Sequence, residues 1–145
     1  MRYEMEQVKV SFDFLKNSVV DRDAEIVFEG ELFRKYSAER TTVGRSVPTR
    51  IRMRIVDPEL LFAMKFVWAR RQDVRDMFML AGGDLKWDLV SELVWAKCSR
   101  ELMGKRSRST SRDVQSKNFR DSLHGSFGRI PQERFELCQK DWWNF

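Results

Sequence analysis

Histidine occurs once and cysteine twice in these 145 residues, and glycine forms neither a GxGxxG run nor a phosphate-binding P-loop. No Cys–His pair has reactive spacing, and Ser126 has no partner that would make it a nucleophile. Cys98 and Cys138 are too few and too far apart for a disulfide scaffold or a zinc ribbon. His124 stands alone between Leu123 and Gly125, which predicts a packing role at a helix end. No apolar run approaches the roughly 18 residues needed to cross a bilayer. The opening Met1-Arg2-Tyr3-Glu4-Met5-Glu6 lacks the apolar core of a signal peptide. These absences predict a reduced, cytoplasmic protein that makes no membrane contact.

The chain does have charge and a normal apolar content. Hydrophobic residues make up 42%, enough for the core of one domain spanning residues 1–145. The net charge is +5, and its placement is uneven. Residues 100–120 hold Arg100, Lys105, Arg106, Arg108, Arg112, Lys117 and Arg120 against Glu101 and Asp113, an excess equal to that of the whole chain. Serines 107, 109, 111 and 116 are interleaved, so residues 99–117 read as a basic flexible loop. Such a loop is either a solvated linker or a contact for RNA or DNA through Arg106, Arg108 and Arg112, because arginine displaces counterions from phosphates. It has no aromatic residues for base stacking, so that contact would be blind to sequence.

Hydrophobic periodicity predicts an α+β chain. In residues 1–56, Val8, Val10, Phe12 and Phe14 alternate with Lys9, Ser11 and Asp13, as in a half-buried strand. Ala24 to Phe28 reads as a strand or as the lead-in to a helix through Glu31, Leu32, Phe33 and Tyr36. Thr41 to Val43 and Ile51, Met53, Ile55 suggest two further strands, with Arg50, Arg52 and Arg54 on the opposite face of the second. Together they would make a small mixed or antiparallel sheet.

From residue 57 the period becomes helical, so residues 57–98 read as a helical part. Asp57 suits an N-cap, Pro58 the first helical position, and Glu59 the positive end of the helix dipole. Leu60, Leu61, Met64, Val67 and Trp68 form the predicted buried stripe. A second helix covers Gln72 to Leu80 and stops at Gly82-Gly83, and Asp84 caps a third. Residues 118–145 read as C-terminal helices, with Trp142-Trp143-Asn144-Phe145 closing the core or serving as an aromatic surface for a partner.

Asp73 and Asp76 lie three apart on one helix side, with Lys65 and Arg70 before them. Spacing alone leaves a surface ion-pair network open. The order Asp57-Pro58-Glu59-Leu60-Leu61, Ala63-Met64-Lys65, Trp68-Ala69-Arg70, Gln72-Asp73 and Asp76 resembles the second half of minimal nucleotidyltransferase-like domains, the group that includes abortive-infection toxins. Gln72 departs from the family's lysine and Trp68 from its small residue. The resemblance implies that Lys65 and Arg70 face the phosphates of a nucleotide. It also implies that Asp73 and Asp76 orient those cations or hold the two helices together. Val10-Ser11-Phe12-Asp13-Phe14 is similar to the strand carrying the family's third metal-binding acid, which makes Asp13 a magnesium ligand.

The family's Gly-Ser-x-x-x-Asp-x-Asp motif is absent, and Asp21-Arg22-Asp23 has no glycine before it and reads as a turn. The resemblance therefore implies a partial nucleotidyltransferase-like fold, an incomplete or degenerate enzyme. Magnesium would bind only if a partner chain or a preceding segment completed the site. The alternatives are a basic nucleic-acid-binding or regulatory module and a structural interaction subunit.

Overall fold

Pro58 has no amide hydrogen to lose at a helix start, and Asp57 lies in extended backbone ahead of it, so the chain turns helical where the spacing predicts. The computed structural model describes residues 2–5, 8–11, 18–21, 25–43 and 49–142. The fold is α+β: strands dominate up to Val56 and helices follow.

The strands pair as β1 (Arg2–Met5) with β2 (Val8–Ser11), β3 (Ser18–Asp21) with β4 (Ile26–Glu29), and β5 (Ser37–Val43) with β6 (Arg50–Val56). All pairs are antiparallel, and among the described residues they form separate two-stranded ribbons rather than one sheet. β2 is the start of the strand predicted over residues 8–14; Phe12, Asp13 and Phe14 lie outside the described residues. The segment read as strand or helix lead-in is both, since β4 runs straight into helix α1 (Gly30–Lys35). β1 and β3 have no counterpart in the sequence reading.

The β5–β6 ribbon is amphipathic without burying either face. Its register sets Ile51 opposite Thr42, Met53 opposite Arg40 and Ile55 opposite Ala38, so the three apolar residues share one face. They remain 46%, 38% and 44% exposed, because none of the described elements covers them.

The core belongs to the helices. α2 (Pro58–Trp68) packs against both α3 (Arg71–Ala81) and α4 (Trp87–Trp95), and α3 also meets α5 (Arg100–Val114) and α7 (Gln132–Trp142). Wedged between neighbours, α2 buries Leu60, Phe62, Ala63, Met64, Phe66 and Val67, a broader face than the predicted stripe, while Leu61 and Trp68 are only half-buried. Trp87 meets Phe62 edge-on at 5.4 Å, and Phe78 meets Phe119, from α6 (Phe119–Phe127), at 5.1 Å. Trp142 lies 6.3 Å from Phe62 and 6.1 Å from Phe78, so the start of the terminal aromatic cluster closes the core. Trp143, Asn144 and Phe145 are outside the described residues.

Two local expectations are corrected. The segment read as a basic loop over 99–117 is helical from Arg100 to Val114, with the Ser99 hydroxyl accepting the Leu102 N–H at 3.2 Å as its N-cap. Leu102, Met103, the Arg106 side chain, Thr110 and Val114 recur at helical spacing and face inward, which outweighs the serines' preference for turns. Asp84 does not cap the third helix. α4 starts at Trp87, and the buried Glu59 of α2 accepts the Lys86 N–H at 3.1 Å, a cap supplied from another helix. Among the described residues no helix is long and apolar enough to cross a membrane.

Candidate functional site

The α2–α3 junction gathers Lys65, Arg70, Asp73 and Asp76. Lys65 sits in the last turn of α2. Ala69 then takes the left-handed conformation, φ 47°, and its N–H bonds to the Lys65 carbonyl at 2.8 Å, which ends the helix sharply. Arg70 is extended and precedes the first turn of α3, so Asp73 falls at the third helical position with its carboxylate turned back on the junction.

Asp73 has no exposed side-chain surface and is surrounded by donors. Its Oδ2 accepts from the Arg70 backbone N–H at 3.2 Å and from Arg70 Nε at 2.7 Å. Its Oδ1 accepts from Lys65 Nζ at 3.1 Å and from Arg70 Nη2 at 3.5 Å. Lys65 Nζ also pairs with Asp76 Oδ2 at 2.6 Å. Burial by itself would pull the Lys65 ammonium down, but the hydrogen bonds to Asp76 and Asp73 outweigh it, and the group titrates above its ordinary value. Two cations and two anions therefore neutralise one another.

The two cations differ in reach. Lys65 is only 17% exposed, whereas Arg70 is 58% exposed with its guanidinium 5.3 Å from the Trp68 ring centre. A phosphate arriving from solvent would meet Arg70 first. The sequence-derived cluster is thus assembled in space, with Asp73 linking α2 to α3 and orienting Arg70.

Magnesium does not fit the described part of the chain. Asp73 is committed to Lys65 and Arg70, and among the described residues no three His, Cys, Asp or Glu side chains converge to hold an ion. Asp13 lies outside the described residues.

The three arginines assigned to nucleic acid separate. Arg106 turns inward, 17% exposed, with Nη2 3.6 Å from Asp21 Oδ2 of β3, and so leaves the candidate surface. Arg108 and Arg112 are exposed. With Ser107, Ser111 and Gln115 they line an open groove of about 450 Å³.

Remaining reactive groups are packed away. Cys98 and Cys138 are reduced and buried, and burial raises both thiols above their ordinary value, which makes them poor nucleophiles. His124 lies in the last turn of α6, and its Nε2 is buried without a hydrogen bond among the described residues.

Sequence reasoning missed the Glu59 cap and the Asp21–Arg106 pair, both long-range. It also missed a groove of about 370 Å³ lined by Phe28, Leu32, Leu93 and Lys97, where Lys97 bonds Glu29 at 2.6 Å and lies 5.8 Å from the Phe28 ring. Only the amphipathic patterns of α1 and α4 hinted at facing surfaces there. No protein-family model, curated protein or solved structure matches the chain.

Proposed function

We propose that this chain is a nucleotidyltransferase-like protein that binds a nucleoside triphosphate at the α2–α3 junction and does not transfer it unaided. The observation that supports the reading is the convergence of Lys65 and Arg70 on the buried Asp73 carboxylate, with Asp76 on the lysine. This matches the division of labour the resemblance implies, with cations for phosphate and acids to orient them. Arg70 is the principal phosphate contact, because its side chain reaches solvent while Asp73 holds it through Nε and Nη2 and Trp68 braces the guanidinium. Lys65 adds positive potential from behind. The described carboxylates supply no magnesium site, so the proposal covers binding. Transfer would need metal-binding acids from beyond the described residues, such as Asp13 together with those of another chain or a preceding segment.

The same distances favour a second reading, a structural interaction subunit. Lys65 is mostly buried and doubly paired, which is how an interhelical clamp is built.

Titration calorimetry with ATP, CTP, GTP and UTP, with and without magnesium, separates the two. On the nucleotide reading, Arg70→Ala weakens binding at least about tenfold, the loss of one charge-assisted contact. Lys65→Ala weakens it by less, in a protein that circular dichroism shows to be folded. No heat with any nucleotide, or binding unchanged in Arg70→Ala, would leave the clamp as the cluster's whole role.

A further inference from the structure

Twelve residues separate Arg100 from Arg112 on α5, which at about 1.5 Å per residue is a row about 18 Å long. The outward side of this helix carries Arg100, Lys105, Arg108 and Arg112 against a single acid, Glu101. None of these four cations forms an ion pair with a carboxylate among the described residues. Arg108 and Arg112 stand one turn apart, about 6 Å along the axis. Ser107, Ser111 and Gln115 join them along the open groove and add hydrogen-bond donors between the charges. Gly104 contributes no side chain, and a Cβ there would come within 3.3 Å of Arg108 Nη1, so the guanidinium lies close along the helix surface. The opposite side of α5 is anchored by Thr110, Val114 and the Arg106–Asp21 pair. The row is therefore held on a packed helix rather than on a coil.

We infer that the outward face of α5, centred on Arg108 and Arg112, docks the phosphodiester backbone of duplex nucleic acid without reading its sequence. Three observations select this occupant. The row is too long and its charges too spread for one triphosphate, whereas a polymer presents phosphates along its whole length. Serine, glutamine and arginine are the side chains that bond phosphate oxygens, and they fix position without carrying sequence information. No aromatic residue lies in α5, so there is no platform on which unpaired bases could stack. The site is remote in sequence from Arg70 and independent of the nucleotide reading.

The test is fluorescence anisotropy of the whole protein with labelled DNA duplexes of two unrelated sequences, an RNA duplex, and labelled poly-glutamate, across salt from about 50 to 200 mM. Binding to at least one duplex type is expected, with the two DNA sequences indistinguishable. The logarithm of affinity should fall with that of salt at a slope between about −2 and −4, for the two to four phosphates the row can neutralise. Arg108→Gln with Arg112→Gln should flatten the slope by about 2 while circular dichroism and nucleotide titration stay unchanged. A slope unaltered in the double variant, no binding to DNA or RNA at the lowest salt, or equal affinity for poly-glutamate would each overturn the assignment.

Discussion

Asp73 is a carboxylate with no exposed surface that survives in the core because Lys65 and Arg70 supply its hydrogen bonds. Removing one partner of a buried pair leaves the other charge uncompensated. Asp73→Ala is therefore expected to cost about 3 kcal/mol, towards the lower end for such losses because Asp76 still holds Lys65. Asp76 is 37% exposed and screened by solvent, so Asp76→Ala should cost no more than about 1 kcal/mol. Thermal melts monitored by circular dichroism decide the order, and equal losses would contradict the geometry. The same melts carry a pH signature. Lys65 titrates above its ordinary value of 10.5 in the folded chain, so its contribution is fully present below that pH and is lost as pH rises through the folded value. Lys65→Met should lower stability near neutral pH and remove this alkaline component. At this scale the sequence was informative: helical spacing placed Asp73 and Asp76 on one side of a helix, with Lys65 eight residues before Asp73 and Arg70 at the helix junction. Spacing could not show that Asp73 is buried and Arg70 open, because that follows from what α2 and α3 pack against.

The elements show where local reading stops. The start of α2 and the span of α3 were legible from caps, glycines and apolar period, and α6 and α7 fall within the segment read as C-terminal helices. Helix α5 was not, since Ser107, Ser109 and Ser111 and four outward cations hide a stripe whose inward members include the buried Thr110 and the half-buried Arg106. Polar groups can serve as an inward face only when a partner such as Asp21 awaits them, and that partner is 85 positions away in the chain. Gly82 makes the same point at the end of α3. A Cβ there would clash with Cys138 Sγ on α7 and press on its backbone at 3.3 Å, and the Gly82 carbonyl accepts from Arg134 Nη1 at 2.7 Å. Its φ of −76° needs no glycine, so close approach rather than conformation demands the small residue. Gly82→Ala is expected to destabilise by about 1–3 kcal/mol through overpacking, and Cys138→Ala should recover part of the loss in the double variant. Additive losses in a double-mutant cycle would refute the contact.

At the scale of the molecule, most of the buried apolar residues among those described lie after residue 57. Among the residues of known burial, Phe28 is the one fully buried apolar residue of β3 to β6, edge-on to Trp68 at 6.5 Å, while the other buried apolar residues belong to the helical part. The β5–β6 ribbon holds itself through its ladder and leaves Ile51, Met53 and Ile55 in solvent. Hydrogen exchange should therefore show amides of α2 opening only with global unfolding, and ribbon amides opening at least about 2 kcal/mol more easily. Equal protection would mean that the apolar face is covered in solution. The amino-acid sequence by itself determined the α+β order, the start of α2 at Pro58 and the placing of Asp73 and Asp76 on one side of α3, because caps and periodicity act within a few residues of one another. Only the tertiary structure decided that Arg106 is spent on Asp21 while Arg108 and Arg112 face solvent, and that Glu59 caps α4. Those choices depend on contacts between segments distant in the chain, and no local pattern encodes which cation of a basic stretch a buried carboxylate will take.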